Sequence, residues 1–379
     1  MTYKRYILFL LSVLGAVHCS ESEERYAFDL PSHFPQPQIP ESNPMTLSKI
    51  ELGRYLFYDT RLSVNGTTSC GSCHQQKLAF TDGKALAVGA TGDVLARSSM
   101  GLTNIVFSAR LTWANHLLGD LESQMLVPLF GEQPVEMGMA GKEEEMLALA
   151  RSDTRYMQLF PKAFPEQDDP FTLDNLTKAI ASFQRTLISS NSPYDRYIQG
   201  DQTALSSSAK RGMTLFFDER LECFHCHGNF NFSDSVSHQG KALEEISFHN
   251  NGLYHLDDLG SYPEGNQGIF ELTGIDADKG RFKAPTLRNI EVTAPYMHDG
   301  SIETLEGVVD HYGQGGRTIL TGPNQGVGST NPNKSQFVPG FVLTAEEKED
   351  VLSFLKSLTD ESFLNDPDFS NPFSDGDGL

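Results

Sequence analysis

The sequence predicts a mainly α-helical chain made of two similar halves, and three observations lead there. The first is a repeated motif, Cys70-Gly71-Ser72-Cys73-His74 and Cys223-Phe224-His225-Cys226-His227. The second is that each copy follows a matching approach. Gly53-Arg54-Tyr55-Leu56-Phe57-Tyr58-Asp59 precedes Arg61-Leu62, and Gly212-Met213-Thr214-Leu215-Phe216-Phe217-Asp218 precedes Arg220-Leu221. Such self-similarity is the mark of an internal duplication. The third is helical spacing of apolar residues late in each half: Leu176, Ile180, Phe183 and Leu187, then Val351, Phe354, Leu355 and Leu358.

C-x-x-C-H is the attachment signal of a c-type haem. The two thiols add to the vinyl groups as thioethers, and the histidine becomes an axial iron ligand. A zinc or thiol-redox pair is the competing reading of a single copy; two complete copies with matched approaches favour haem. The expected fold is therefore two cytochrome c-like domains, each with one covalently attached haem, held by Cys70, Cys73 and His74 and by Cys223, Cys226 and His227.

At 379 residues with a net charge of −21, the chain is large enough for two domains and too acidic to favour nucleic acid or an anionic membrane. Lys4 and Arg5, followed by the apolar run Ile7 to Val17, read as an export signal over residues 1–19, too short to span a bilayer. Haem attachment of this kind is extracytoplasmic in bacteria, so the expected location is the periplasm. Cys19 is the odd cysteine, either a lipidated first residue of the mature chain or one discarded with the signal. No other segment is suited to crossing a membrane.

Residues 20–44 carry Pro31, Pro35, Pro37, Pro40 and Pro44 and are expected to form an extended linker. The first domain spans 45–190, opening with a helix that presents Leu47, Ile50 and Phe57 and is capped by Ser48. Further helices are expected at 142–151 and 171–188. Ser189-Ser190-Asn191-Ser192-Pro193 breaks the pattern and marks the junction. The second domain spans 191–359. Its stretch from His227 to Pro285 is glycine-rich and aperiodic, so function rather than core is expected there. Thr344 and Glu347 form a capping box for the last helix, and residues 360–379 read as a mobile acidic tail.

Beyond the two haem motifs, Leu121-Glu122-Ser123-Gln124, Pro134-Val135-Glu136-Met137-Gly138, Ala284-Pro285-Thr286-Leu287-Arg288-Asn289 and Thr293-Ala294-Pro295-Tyr296-Met297-His298-Asp299-Gly300 carry a resemblance. The mature chain resembles the bacterial di-haem cytochrome c peroxidase/MauG superfamily. Leu111-Thr112-Trp113-Ala114-Asn115 and Val127-Pro128-Leu129-Phe130-Gly131 look most like its MbnH branch, MauG-like enzymes encoded beside a copper-binding partner.

The resemblance implies a role for each matched position. Tyr312 falls where the peroxidases carry the methionine ligand of the second haem; a hard phenolate there, in place of a soft thioether, stabilises oxidised iron. The competing reading makes Met297 the ligand. Peroxidases also carry a displaceable histidine in the loop after the first motif, yet no histidine lies between His74 and His116, so the first haem is expected to be open. Glu136 would be acid/base and Gln124 the positioning donor for peroxide, and Trp113 would relay a hole between the haems. Calcium is implied at Thr293 and Pro295, with Ser98 in place of the family's asparagine; hydroxyl and carbonyl oxygens both suit that ion.

Together these imply a hydrogen peroxide-dependent oxidase that stores two oxidising equivalents and spends them on an aromatic residue, a tryptophan converted to kynurenine, of a copper-binding MbnP-like partner. The alternatives are a peroxidase fed by a small cytochrome and a non-enzymatic electron carrier.

Overall fold

The computed structural model describes residues 25–241 and 246–373; the expected export signal and Cys19 lie outside them. Helix α1 (Leu47–Tyr58) begins at Thr46, whose hydroxyl accepts from the Lys49 N–H. Thr46, not the expected Ser48, is therefore the cap. The first half continues with α2 (Leu121–Phe130), α3 (Glu143–Ser152), α4 (Tyr156–Ala163) and α5 (Leu173–Arg185). The second half holds α6 (Pro193–Ile198), α7 (Ser207–Phe216), α8 (Leu305–Gly313) and α9 (Ala345–Lys356), the last opened by the expected Thr344–Glu347 capping box.

The duplication is visible in three dimensions. Helix α1 packs on α5, and α7 packs on α9. Each crossing is made at the glycine shared by the two sequence repeats. A Cβ on Gly53 would lie 1.9 Å from the Ala179 carbonyl oxygen, and one on Gly212 would lie 1.8 Å from that of Asp350. Helices α1 and α7 are each followed by a single helical turn at a cysteine pair, Cys70–Cys73 and, just after Cys223, Phe224–His227.

A second repeated element completes each half. Asn104 (φ +55°) and Asn289 (φ +61°) are left-handed residues that each start a 3₁₀ turn. The Asn104 N–H donates to the Leu187 carbonyl at 2.8 Å, and that of Asn289 to the Leu358 carbonyl at 3.0 Å, just past the ends of α5 and α9. Both side chains meet at the junction. Ser189 N–H donates to Asn104 Oδ1 at 2.7 Å, and Asn289 Nδ2 donates to the Ser189 hydroxyl at 3.1 Å.

One apolar core lies around Leu52, Phe57, Phe80, Ile180 and Phe183, and a second around Phe216, Phe232, Val351, Phe354 and Leu358. From residue 228 to 285 the described chain is irregular apart from short turns at Phe270–Thr273 and Asp276–Asp278.

Two expectations are corrected. The segment 360–373 is not a mobile tail. Asp360, only 2% exposed, accepts the N–H groups of Ser190 and Asn191. After it, Phe363, Leu364 and Phe369 enter the first core. Aromatic residues interleaved with carboxylates let the charges face solvent while the rings are buried, and net charge alone conceals that. The segment 25–44 is extended, as its prolines require, but it is not a free linker. Phe34 is 6% exposed and packs edge-on to Phe230, and His33 Nε2 lies 2.9 Å from Asp195. No helix among the described residues is long and apolar enough to cross a membrane.

Gly212→Ala should destabilise the second half by about 1–3 kcal/mol through overpacking, and Phe363→Ala the first by about 3–5 kcal/mol through loss of buried ring. Denaturant midpoints of the holoprotein check both. A Phe363→Ala midpoint equal to wild type would contradict the buried placement of the C-terminal segment.

Candidate functional site

Each cysteine pair opens onto a cavity. The first is lined by Cys70, Cys73, His74, Gln124, Glu136 and Trp113, the second by Cys223, Cys226, His227, Met297, Tyr312 and again Trp113. The two histidines are held in the same way. His74 Nδ1 is 2.7 Å from the Phe80 carbonyl and His227 Nδ1 is 2.7 Å from that of Phe232. Both phenylalanines have positive φ, +63° and +50°, which turns their carbonyls onto the rings. A backbone acceptor at Nδ1 fixes the Nδ1–H tautomer and leaves Nε2 to bind metal. Burial pushes both imidazoles down, towards the neutral form a ligand needs. Paired thiols, a preset Nε2 and a largely apolar wall fit a c-type haem in each cavity.

The far wall of the first cavity is built on α2. Asp120 caps that helix by accepting from Ser123 N–H at 2.7 Å. Glu122 makes a two-pronged pair with Arg185 of α5 at 2.7 and 2.8 Å. Burial opposes ionisation of Glu122, yet Arg185 keeps its carboxyl below the usual range. With α2 fixed to α5, Gln124 lines the cavity. Glu136 is carried by a strapped loop in which Ala90 N–H donates to its carbonyl at 2.6 Å and Met137 N–H donates to the Pro128 carbonyl at 2.9 Å. Burial alone raises the Glu136 carboxyl above its ordinary value. Among the described residues lining this cavity, His74 is the only histidine. His116 lines neither cavity; its carbonyl accepts from Arg110 Nε at 2.6 Å.

Trp113 stands in the wall common to both cavities, its Nε1–H donating to the Ser98 carbonyl at 2.9 Å. Ser98 lines both as well, and its hydroxyl donates to the carbonyl of Met297 at 3.3 Å. Thr293 and Pro295 line the second cavity. In that cavity Tyr312, carried on α8, is half-buried, and desolvation pushes its phenol up to about 12.

The structure also brings in residues that the sequence reading did not assign. His298 stacks on Phe282 with centroids 3.7 Å apart, and burial pushes it down to about 3. Lys283, buried in the second cavity wall and pushed down to about 8 by burial, donates to the Arg110 carbonyl at 2.8 Å. His249 Nε2 is 2.5 Å from Asp234 and close to Cys226. Their only sequence signal is membership of the aperiodic stretch or the motif around His298. No spacing rule isolates them.

The family described as di-haem cytochrome c peroxidase matches residues 47–203. The methylamine utilization protein MauG of Methylorubrum extorquens is 33% identical over 92% of this chain and 89% of its own length. A cytochrome-c peroxidase of Pseudomonas sp. (strain SCT) is 32% identical over 88% of this chain and 86% of its own. Among solved structures, a MauG-like protein associated with microbial copper homeostasis superposes with TM-score 0.90 at 47% identity, covering 92% of this chain and 99% of that one.

The double variant Cys223→Ala/Cys226→Ala should lose half of the covalently bound haem, measured by haem stain after denaturation, while the His74 cavity keeps its share. Full stain in that variant would show that these thiols carry no haem.

Proposed function

Because the chain belongs to the di-haem cytochrome c peroxidase/MauG family of peroxide-dependent oxidoreductases with two c-type haems, we propose that it works as a MauG-like oxidase acting on a partner protein. The observation that carries this reading is Tyr312, a phenol that lines the second cavity with His227. An oxygen donor there disfavours reduced iron, so the second haem would be a poor inlet for electrons from a small cytochrome.

The haems supply the metal that activates peroxide and the sites that store its oxidising equivalents. The chain's own residues do the rest. Glu136, in a low-dielectric wall with its carboxyl raised, takes the proton from the near oxygen of hydrogen peroxide and returns it to the departing one. The Gln124 amide orients the peroxide. With His74 the only histidine among the described residues lining that cavity, no side chain of that type competes for the open face. Trp113, pinned through Nε1 and facing both cavities, relays a hole between them. Long-range hole transfer lets a residue outside the cavity be oxidised, so the substrate can be a folded protein.

The likeness to a MauG-like protein associated with copper homeostasis supports a copper-binding, MbnP-like partner, with a tryptophan as the residue oxidised. Ser98, with the carbonyls of Thr293 and Pro295, offers an oxygen donor set for calcium beside the shared wall. Export to the periplasm, with Cys19 as lipid anchor, completes the proposal.

Titration of the diferric protein with hydrogen peroxide, without reductant, tests it. The expected result is direct formation of a long-lived oxidised species with near-infrared absorption. A requirement for prior reduction of one haem would instead favour the donor-fed peroxidase. Glu136→Gln should slow the peroxide reaction by roughly 10²–10⁴-fold. The wild-type rate should fall as pH drops through the raised Glu136 pKa and protonates the base, and that acid limb should vanish in the variant. Stopped-flow rates across pH check both.

A further inference from the structure

Tyr312 and Met297, two side chains with atoms able to bind iron, both line the second cavity with His227. Between them lies Asn251, from the aperiodic stretch after the second motif. Its Nδ2 donates to Met297 Sδ at 3.2 Å. Its side chain also hydrogen-bonds the Tyr312 side chain. The backbone carbonyl of Asn251 is 3.0 Å from Nε2 of His311, the residue before Tyr312 on α8. His311 Nδ1 has no partner, so Nε2 carries the hydrogen and donates.

The amide is held in place by its neighbour. Asn250 Oδ1 accepts the Gly252 N–H at 2.9 Å and the Tyr262 hydroxyl at 2.8 Å, and Asn250 Nδ2 donates to the Lys279 carbonyl at 2.9 Å. A donor fixed by such a network is preorganised rather than adaptable. Met297 is itself constrained, with φ +73° and its carbonyl accepting from Ser98.

We propose that Asn251 is a positioning residue that selects the axial ligand of the second haem, its amide engaging the Met297 thioether and so leaving the iron to the Tyr312 oxygen. The inference rests on the Tyr312 assignment above. A sulfur lone pair occupied by an N–H is a weaker donor to metal, which leaves the Tyr312 oxygen without a competitor from Met297.

The test uses the ferric holoprotein and two readouts, the far-red sulfur-to-iron charge-transfer absorption and the midpoint potential of the second haem. Asn251→Leu, which removes the donor, should gain the sulfur band and a higher potential. The band should disappear in Asn251→Leu/Met297→Leu. Met297→Leu alone should leave the wild-type spectrum unchanged, and a changed spectrum there overturns the proposal by showing that sulfur is already the ligand. If Asn251→Leu loses haem, Asn251→Ala repeats the measurement. Should the Asn251 variants keep the wild-type spectrum while Tyr312→Phe alters it, the selector role falls and the tyrosine ligand stands. A Tyr312→Phe spectrum identical to wild type removes the tyrosine reading and the selector role with it.

Discussion

The two glycine-dependent helix crossings set the frame for everything else in this protein. At Gly53 and Gly212 the inner helix lies against the backbone of its partner, where even a methyl group would collide with a carbonyl. That approach fixes where each inner helix ends, and therefore where the turn that follows can present its cysteines. In the first half the turn is docked as tightly as the helices: a Cβ on Gly71 would sit 2.4 Å from the Tyr58 ring. The haem pockets are in this sense a by-product of helix spacing. The residue types at the motif supply the chemistry, and the glycines supply the geometry.

Behind the second motif, the bracing is ionic. Arg288 and Asp195, both fully buried, form a two-pronged pair at 2.9 and 3.0 Å. Arg288 Nε also donates to the Phe230 carbonyl at 3.0 Å, two residues before the carbonyl that holds His227. The Phe34 ring covers the guanidinium, with its centroid 4.7 Å away. Truncating either ion would leave an uncompensated buried charge. The N-terminal segment 25–44 thus does structural duty at the second histidine, which explains why a proline-rich stretch is buried at all.

Legibility in the sequence followed how local each signal was. The haem motifs, the duplicated approaches and the capping box at Thr344 are contiguous patterns, and the structure shows each as an element. Trp113, Gln124, Glu136 and Tyr312 are scattered over some two hundred residues with no spacing that links them, and only a resemblance singled them out. Asn251, Lys283 and the His249–Asp234 pair left no trace beyond composition, because what brings them to the cavity is the path of an irregular loop. The C-terminal segment reads as a tail for the opposite reason: its net charge is conspicuous, while the three apolar side chains that anchor it are few.

Those three side chains set an order for assembling the protein. Phe363, Leu364 and Phe369 belong to the first core, and the Tyr58 hydroxyl donates to the Phe369 carbonyl at 2.6 Å across 311 residues of chain. The first half is therefore finished by residues that follow the second half in sequence. Chains usually fold from the N-terminus as they emerge, but here the first core stays unsealed until residues 363–369 have followed the whole second half. Both cysteine motifs are then already available to the attachment machinery while their surroundings are still open. A chain cut before Phe363 would carry both attachment signals and yet leave the core of the first half incomplete.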